Sequence, residues 1–108
     1  MEHDRQIHLY TYDQVEWCVF ELKCLTINQK RIFLYLVYYK LRLDPDCAVS
    51  HNKLSKDLAI SEGTIVNSLR KLQHLGCLDW VRPDNGPFRY LLRINQLPIL
   101  LRIQQRTA

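Results

Sequence analysis

A chain of 108 residues, 47% of them hydrophobic and carrying a net charge of +4 with a pI near 9.0, has the size of one domain and is too apolar to stay disordered. Its apolar runs are too short to span a membrane and its acidic, histidine-containing start is not a secretion signal, so a cytoplasmic location without membrane contact is expected. The basic balance suits an anionic partner without demanding one.

In chain order, Met1 to Tyr10 reads as a polar arm. Thr11 or Asp13 suits the N-cap of a first helix running to about Lys23, because both side chains can accept from free N–H groups of a first turn. Val15, Trp17, Cys18, Val19, Phe20 and Leu22 form an apolar set wider than one stripe, which predicts packing on two sides. Thr26 or Asn28 caps a second helix to about Leu41. Ile32, Phe33, Leu34, Leu36 and Val37 make it apolar nearly all round, as expected of a helix at the centre of a core or against a partner chain. Its charges, Lys30, Arg31, Lys40 and Arg42, gather at the two ends. Tyr35, Tyr38 and Tyr39 fit core or interface packing better than base stacking, since they lie within an otherwise apolar helix. Asp44-Pro45-Asp46 breaks the helix, and Cys47-Ala48-Val49 fits a short strand.

The stretch from Ser50 to Ile94 is the most informative. A short amphipathic segment, Asn52 to Leu58, meets a tight link, Ala59-Ile60-Ser61. Ser61 suits the N-cap of a longer helix, and Glu62 places a negative charge at the positive end of its dipole. Ile65, Leu69, Leu72 and Leu75 recur at spacings of four and three, on one face, and Gly76 can close the helix in a left-handed conformation. The opposite face carries Gly63, Thr64, Asn67, Arg70, Lys71 and His74, with Val66 at its edge. Such a face is what a recognition helix presents to a major groove, and also what an ordinary surface helix exposes to water.

Two strands follow. Leu78 and Trp80 alternate with Asp79 and Val81, and Phe88, Tyr90, Leu92 and Ile94 alternate with Arg89, Leu91 and Arg93. Period two predicts one buried face, and Asn85-Gly86 between Pro83 and Pro87 predicts the turn. Arg82 and Arg89 near the tip suit phosphate oxygens or a minor groove, and equally suit solvation of an edge strand; Arg93 reads as a solubilising residue. Pro98 opens a last helix with Ile99, Leu100, Leu101 and Ile103.

The fold class expected is mainly α with a small β-hairpin. Leu25 to Ile94 resembles a winged helix-turn-helix domain of the kind found in replication initiators and replisome organisers of plasmids and phages. The resemblance rests on Leu25-Thr26, Lys53-Leu54-Ser55, Ser61-Glu62-Gly63-Thr64-Ile65, Leu69-Arg70-Lys71-Leu72, Gly76-Cys77-Leu78 and Arg89-Tyr90. Transcription regulators of the multiple-antibiotic-resistance and gluconate-repressor types share the pattern. It implies an N-terminal arm and helix over 1–24, the winged helix over 25–95 and a helical extension over 96–108. Leu75, where such helices often carry a charge, and the weakly basic start Glu62-Gly63 depart from it.

The function this implies is sequence-specific binding of double-stranded DNA by a recognition helix near 62–75 and a wing near 82–89, in a replication-initiation or transcription-regulating protein. The candidate DNA-binding residues are Lys53, Ser61, Gly63, Thr64, Asn67, Arg70, Lys71, Arg82, Asn85 and Arg89. The alternative is a winged helix that assembles a protein complex without touching DNA. Cys18, Cys24, Cys47 and Cys77 form no Cys-x-x-Cys pair and the histidines are scattered, so neither a metal nor a cofactor is expected; Cys18 and Cys24 read as small buried residues of the first helix. Without a glycine-rich phosphate loop or a Gly-x-Ser-x-Gly elbow, the chain reads as a non-enzyme. Val15, Trp17, Phe20, Leu22, Leu34, Ile99, Leu100 and Ile103 exceed what a small winged-helix core can bury; a homodimer through the first and last helices would cover them, and so would a monomer core completed by the last helix folding back on the first, or a further domain.

Overall fold

The computed structural model describes residues 11–107. The expected N-terminal arm lies outside the described residues. Five helices and one hairpin follow in order: α1 (Tyr12–Glu21), α2 (Ile27–Arg42), α3 (His51–Leu58), α4 (Glu62–His74), β1 (Leu78–Val81), β2 (Arg89–Leu92) and α5 (Gln96–Thr107). The molecule is mainly helical with a two-stranded antiparallel sheet, an α+β arrangement.

Local chemistry explains most of the boundaries. Thr11 caps α1 and Thr26 caps α2, each with the glutamine three residues on, Gln14 or Gln29, reaching back to the cap N–H. Two of the free N–H groups of each first turn are thereby satisfied reciprocally. Ser50 and Ser61 cap α3 and α4 through the N–H groups of Lys53 and Thr64. At the far end of α4, Gly76 has φ +82°, and the N–H groups of Gly76 and Cys77 reach back to the carbonyls of Gln73 and Leu72. This closes the helix on a left-handed residue. Ala59 plays the same part after α3, with φ +55°.

α2 is the central element, touching α1, α3, α4 and β2. Ile32, Phe33, Leu34, Leu36 and Val37 are buried along it. Tyr35 and Tyr39 are half-buried and stacked on each other, while Tyr38 is exposed and meets Tyr12 edge-on. Leu54 of α3 and Ile65, Leu69 and Leu72 of α4 complete the helical core, and Leu58 and Trp80 pack at its rim. In the hairpin Leu78 faces Leu92 and Trp80 faces Tyr90, with Tyr90, Leu92 and Ile94 buried. The strand expected at Cys47-Ala48-Val49 is present as a single bridge, Ala48 to Arg89, flanked by hydrogen bonds from Val49 to Phe88 and from Tyr90 to Cys47.

Two expectations need correction. α1 ends at Glu21, not near Lys23, where Leu22 turns into extended backbone; Lys30 Nζ bonds the Phe20 carbonyl of the last turn. Cys24 is therefore exposed in the following loop, and Cys18 is only half-buried, so neither is a core residue of α1. Of the covers expected for the excess apolar residues, Val15, Leu22 and Leu34 take the monomer's own, where α5 packs on α1. Trp17, Phe20, Ile99 and Ile103 do remain exposed.

Candidate nucleic-acid interface

α3, the link Ala59-Ile60-Ser61 and α4 form a compact helix pair. Ser55 Oγ donates to the Ile60 carbonyl and the Ile60 N–H reaches the Ser55 carbonyl, so the link is held from both sides. Arg31 of α2 donates to the Leu58 carbonyl, placing a cation at the negative end of α3. At about 3.6 residues per turn, the buried residues Ile65, Ser68, Leu69 and Leu72 occupy one side of α4. Gly63, Asn67, Arg70 and His74 fall opposite them, and all four are exposed. Lys71 flanks this row and is exposed; Thr64 and Val66 at its edges are half-buried. His74 completes the row, and its spacing from Asn67 and Arg70 was enough to find it.

The ten candidate residues fall into three groups. Ser61, Gly63, Thr64, Asn67, Arg70 and Lys71 lie on the outward side of α4 and its cap. The Ser61 hydroxyl is taken up locally, accepting from the Thr64 N–H and donating to Thr64 Oγ1, so its contribution is to hold the helix start. Nothing lies within 4 Å of the position a Cβ would take at Gly63, which leaves the first turn open to a close approach. Arg82, Asn85 and Arg89 are exposed on the hairpin. The Arg82 guanidinium sits over the Phe88 ring, 5.7 Å from its centre, so this cation is partly positioned before any partner arrives. Lys53 stands apart on α3, where it pairs with Asp57 at 3.1 Å.

Two contacts absent from the sequence reading steady this surface. Gln73 near the end of α4 donates to Asp79 of β1, tying helix to hairpin. His51, in the first turn of α3, stacks on Phe88 beside the hairpin loop. Burial holds the His51 imidazole below its ordinary value, against the weaker pull of the Glu62 carboxylate. The Tyr35 hydroxyl bonds Asp57, and this bond together with Lys53 holds the Asp57 carboxyl below the usual range.

The acidic groups near the helix breaks are occupied by structure. Asp44 accepts from the N–H groups of Asp46 and Ala48, which shapes the turn after α2. Burial pushes the thiols of Cys47 and Cys77 up to about 12, so both are held as unreactive thiols. Among the described residues, no group of three or more His, Cys, Asp or Glu side chains is placed to hold a metal ion. No described helix is long and apolar enough to cross a membrane. No family model, curated protein or solved structure matches this chain.

Proposed function

We propose that the chain binds duplex DNA sequence-specifically, as a winged helix-turn-helix, in a replication-initiation or transcription-regulating protein of the cytoplasm. The observation that supports this most is the exposed row Gly63, Asn67, Arg70 and His74, opposite the buried side of a helix capped at both ends. Asn67 and Arg70 have the fork geometry that pairs with adenine and guanine edges in a major groove. Thr64 and Lys71, at the flanks of the row, are suited to phosphate. Gly63 allows the DNA backbone close to the helix start, where unpaired N–H groups and the dipole favour an anion. Arg82, Asn85 and Arg89 form the wing contact, adding affinity with little preference between bases. Lys53 adds a peripheral phosphate contact once it leaves Asp57.

The test is a fluorescence anisotropy titration of the chain against a random duplex at low and moderate salt. Binding that weakens steeply as salt rises is the expected result, since each neutralised phosphate releases counterions. Absence of duplex binding at low salt overturns the reading. One observation favours a protein-docking module instead: Val81 and Leu91, on the outward side of the hairpin, are 52% and 48% exposed. Val66 and Leu75, around which that reading needs a wide apolar patch, are half-buried.

A further inference from the structure

Four large apolar side chains lie open on the two helices that flank the helix pair and hairpin. Trp17 and Phe20 of α1 are 58% and 60% exposed, and Ile99 and Ile103 of α5 are 47% and 53% exposed. In each helix the two residues are three or four positions apart, so they share a side. The outward side of α1 also carries Asp13 and Glu21, and the whole helix has three acids, Asp13, Glu16 and Glu21, with no lysine or arginine. The outward side of α5 carries Arg102 and Arg106, and that helix has no acid. Among the described residues, Asp13, Glu21, Arg102 and Arg106 take part in no ion pair.

We propose that this chain forms a two-fold dimer in which the outer side of α1 lies against the outer side of α5 from a second copy. α1 and α5 are packed neighbours within one chain, joined where Gln104 bonds the Glu21 carbonyl and the Lys23 N–H. A two-fold operation beside such a pair makes the same crossed contact twice. Trp17 and Phe20 then cover Ile99 and Ile103, and Asp13 and Glu21 oppose Arg102 and Arg106. The charge pattern disfavours the two uncrossed pairings. α1 against α1 would set acid on acid, and α5 against α5 would set arginine on arginine, both repulsive at an interface. The crossed pairing needs no partner but the chain itself, and it stands independently of DNA binding.

Sedimentation of the full chain at tens of micromolar gives the first reading: a species of twice the 12.9 kDa chain mass is expected. Charge reversal then identifies the pairing. Asp13→Lys with Glu21→Lys makes both helices basic, and Arg102→Glu with Arg106→Glu makes both acidic. Each double variant should self-associate about 100-fold more weakly than the unaltered chain, and an equimolar mixture of the two should recover the dimer. Recovery on mixing also shows that both variants are folded. If Asp13→Lys weakens α1 itself, seen as lost helical circular dichroism, Glu21→Lys alone carries the test, because a cation is tolerated at that end of a helix. A monomer at every concentration, reversal variants that dimerise as well as the unaltered chain, or folded variants that stay monomeric when mixed would each overturn the proposal.

Discussion

His51 stacks on Phe88 with ring centres 5.0 Å apart and planes 18° from parallel, which pins the first turn of α3 to the base of the hairpin loop. Burial depresses the His51 value below 6.5, so the unfolded chain takes up this proton at higher pH than the folded one. The contribution of neutral His51 to stability is therefore complete above pH 6.5 and is lost as the pH falls through the lower folded-state value. Denaturant midpoints measured from pH 7 down to pH 5 should fall, and His51→Phe should flatten the slope. The carboxyls of Asp57 and Asp79, also depressed, lose their contribution only as the pH falls below 3.8, outside that window. An unchanged slope in the His51→Phe variant would remove His51 as the cause.

Two left-handed positions make opposite predictions. Gly76, at φ +82°, has Gln96 Nε2 3.2 Å from where a Cβ would sit. Gly76→Ala should cost about 1–2 kcal/mol through backbone strain and displacement of Gln96, which donates to the Leu75 carbonyl. Ala59, at φ +55°, already bears that strain, so Ala59→Gly should add roughly 0.5 kcal/mol. Urea unfolding of both variants checks the signs, and a destabilising Ala59→Gly would mean its methyl packs usefully.

The Tyr90 hydroxyl is buried with no hydrogen-bond partner among the described residues, and burial raises its ionisation far above the ordinary value. A buried unpaired hydroxyl costs about 1–3 kcal/mol relative to water. Tyr90→Phe should therefore raise stability by about 1 kcal/mol, with the ring still edge-on to Trp80. A loss of stability in calorimetry would show that the hydroxyl has a partner in solution.

For DNA recognition, Arg70→Ala should cost on the order of 1–3 kcal/mol and relax preference at one base position, and Asn67→Ala should do so at another. Competition between duplexes differing at single positions gives the readout. Unchanged affinity and preference in both variants would remove α4 as the reading helix.

The wing should behave differently. Removing Arg82 and Arg89 together should lower affinity for all duplexes alike and flatten the salt slope by about one or two units. Because Arg82 is already held over Phe88, Phe88→Ala should reproduce part of its loss. A slope equal to that of the unaltered chain would detach the wing from the DNA backbone.

Helix starts and the hairpin were readable because their causes are local. Thr11, Thr26 and Ser61 cap within three residues, and Asn85-Gly86 with period-two alternation marks the turn and the buried side. The exposed row on α4 follows from periodicity alone. The end of α1 is less legible, because Leu22 turns to extended backbone with no glycine or proline beside it to announce the break. The return of α5 to α1 is an arrangement the apolar excess allows, but which of Val15, Leu22, Leu34, Trp17 and Phe20 it buries depends on how distant segments come together. At the candidate interface, Arg82 over Phe88 and His51 against Phe88 join residues far apart in kind or in sequence, and no short motif announces them.

Gln104 uses both ends of its amide where α1 ends, donating to the Glu21 carbonyl and accepting from the Lys23 N–H just beyond it, across separations of 83 and 81 residues. During synthesis α1 can settle on α2 early, but this latch closes only when α5 has been made. α2, α3, α4 and the hairpin can assemble as they leave the ribosome, and the seat of α1 on α2 is completed only by the last helix. A chain truncated before Gln96 should show α1 cut by protease sooner than in the 108-residue chain, while the hairpin stays protected.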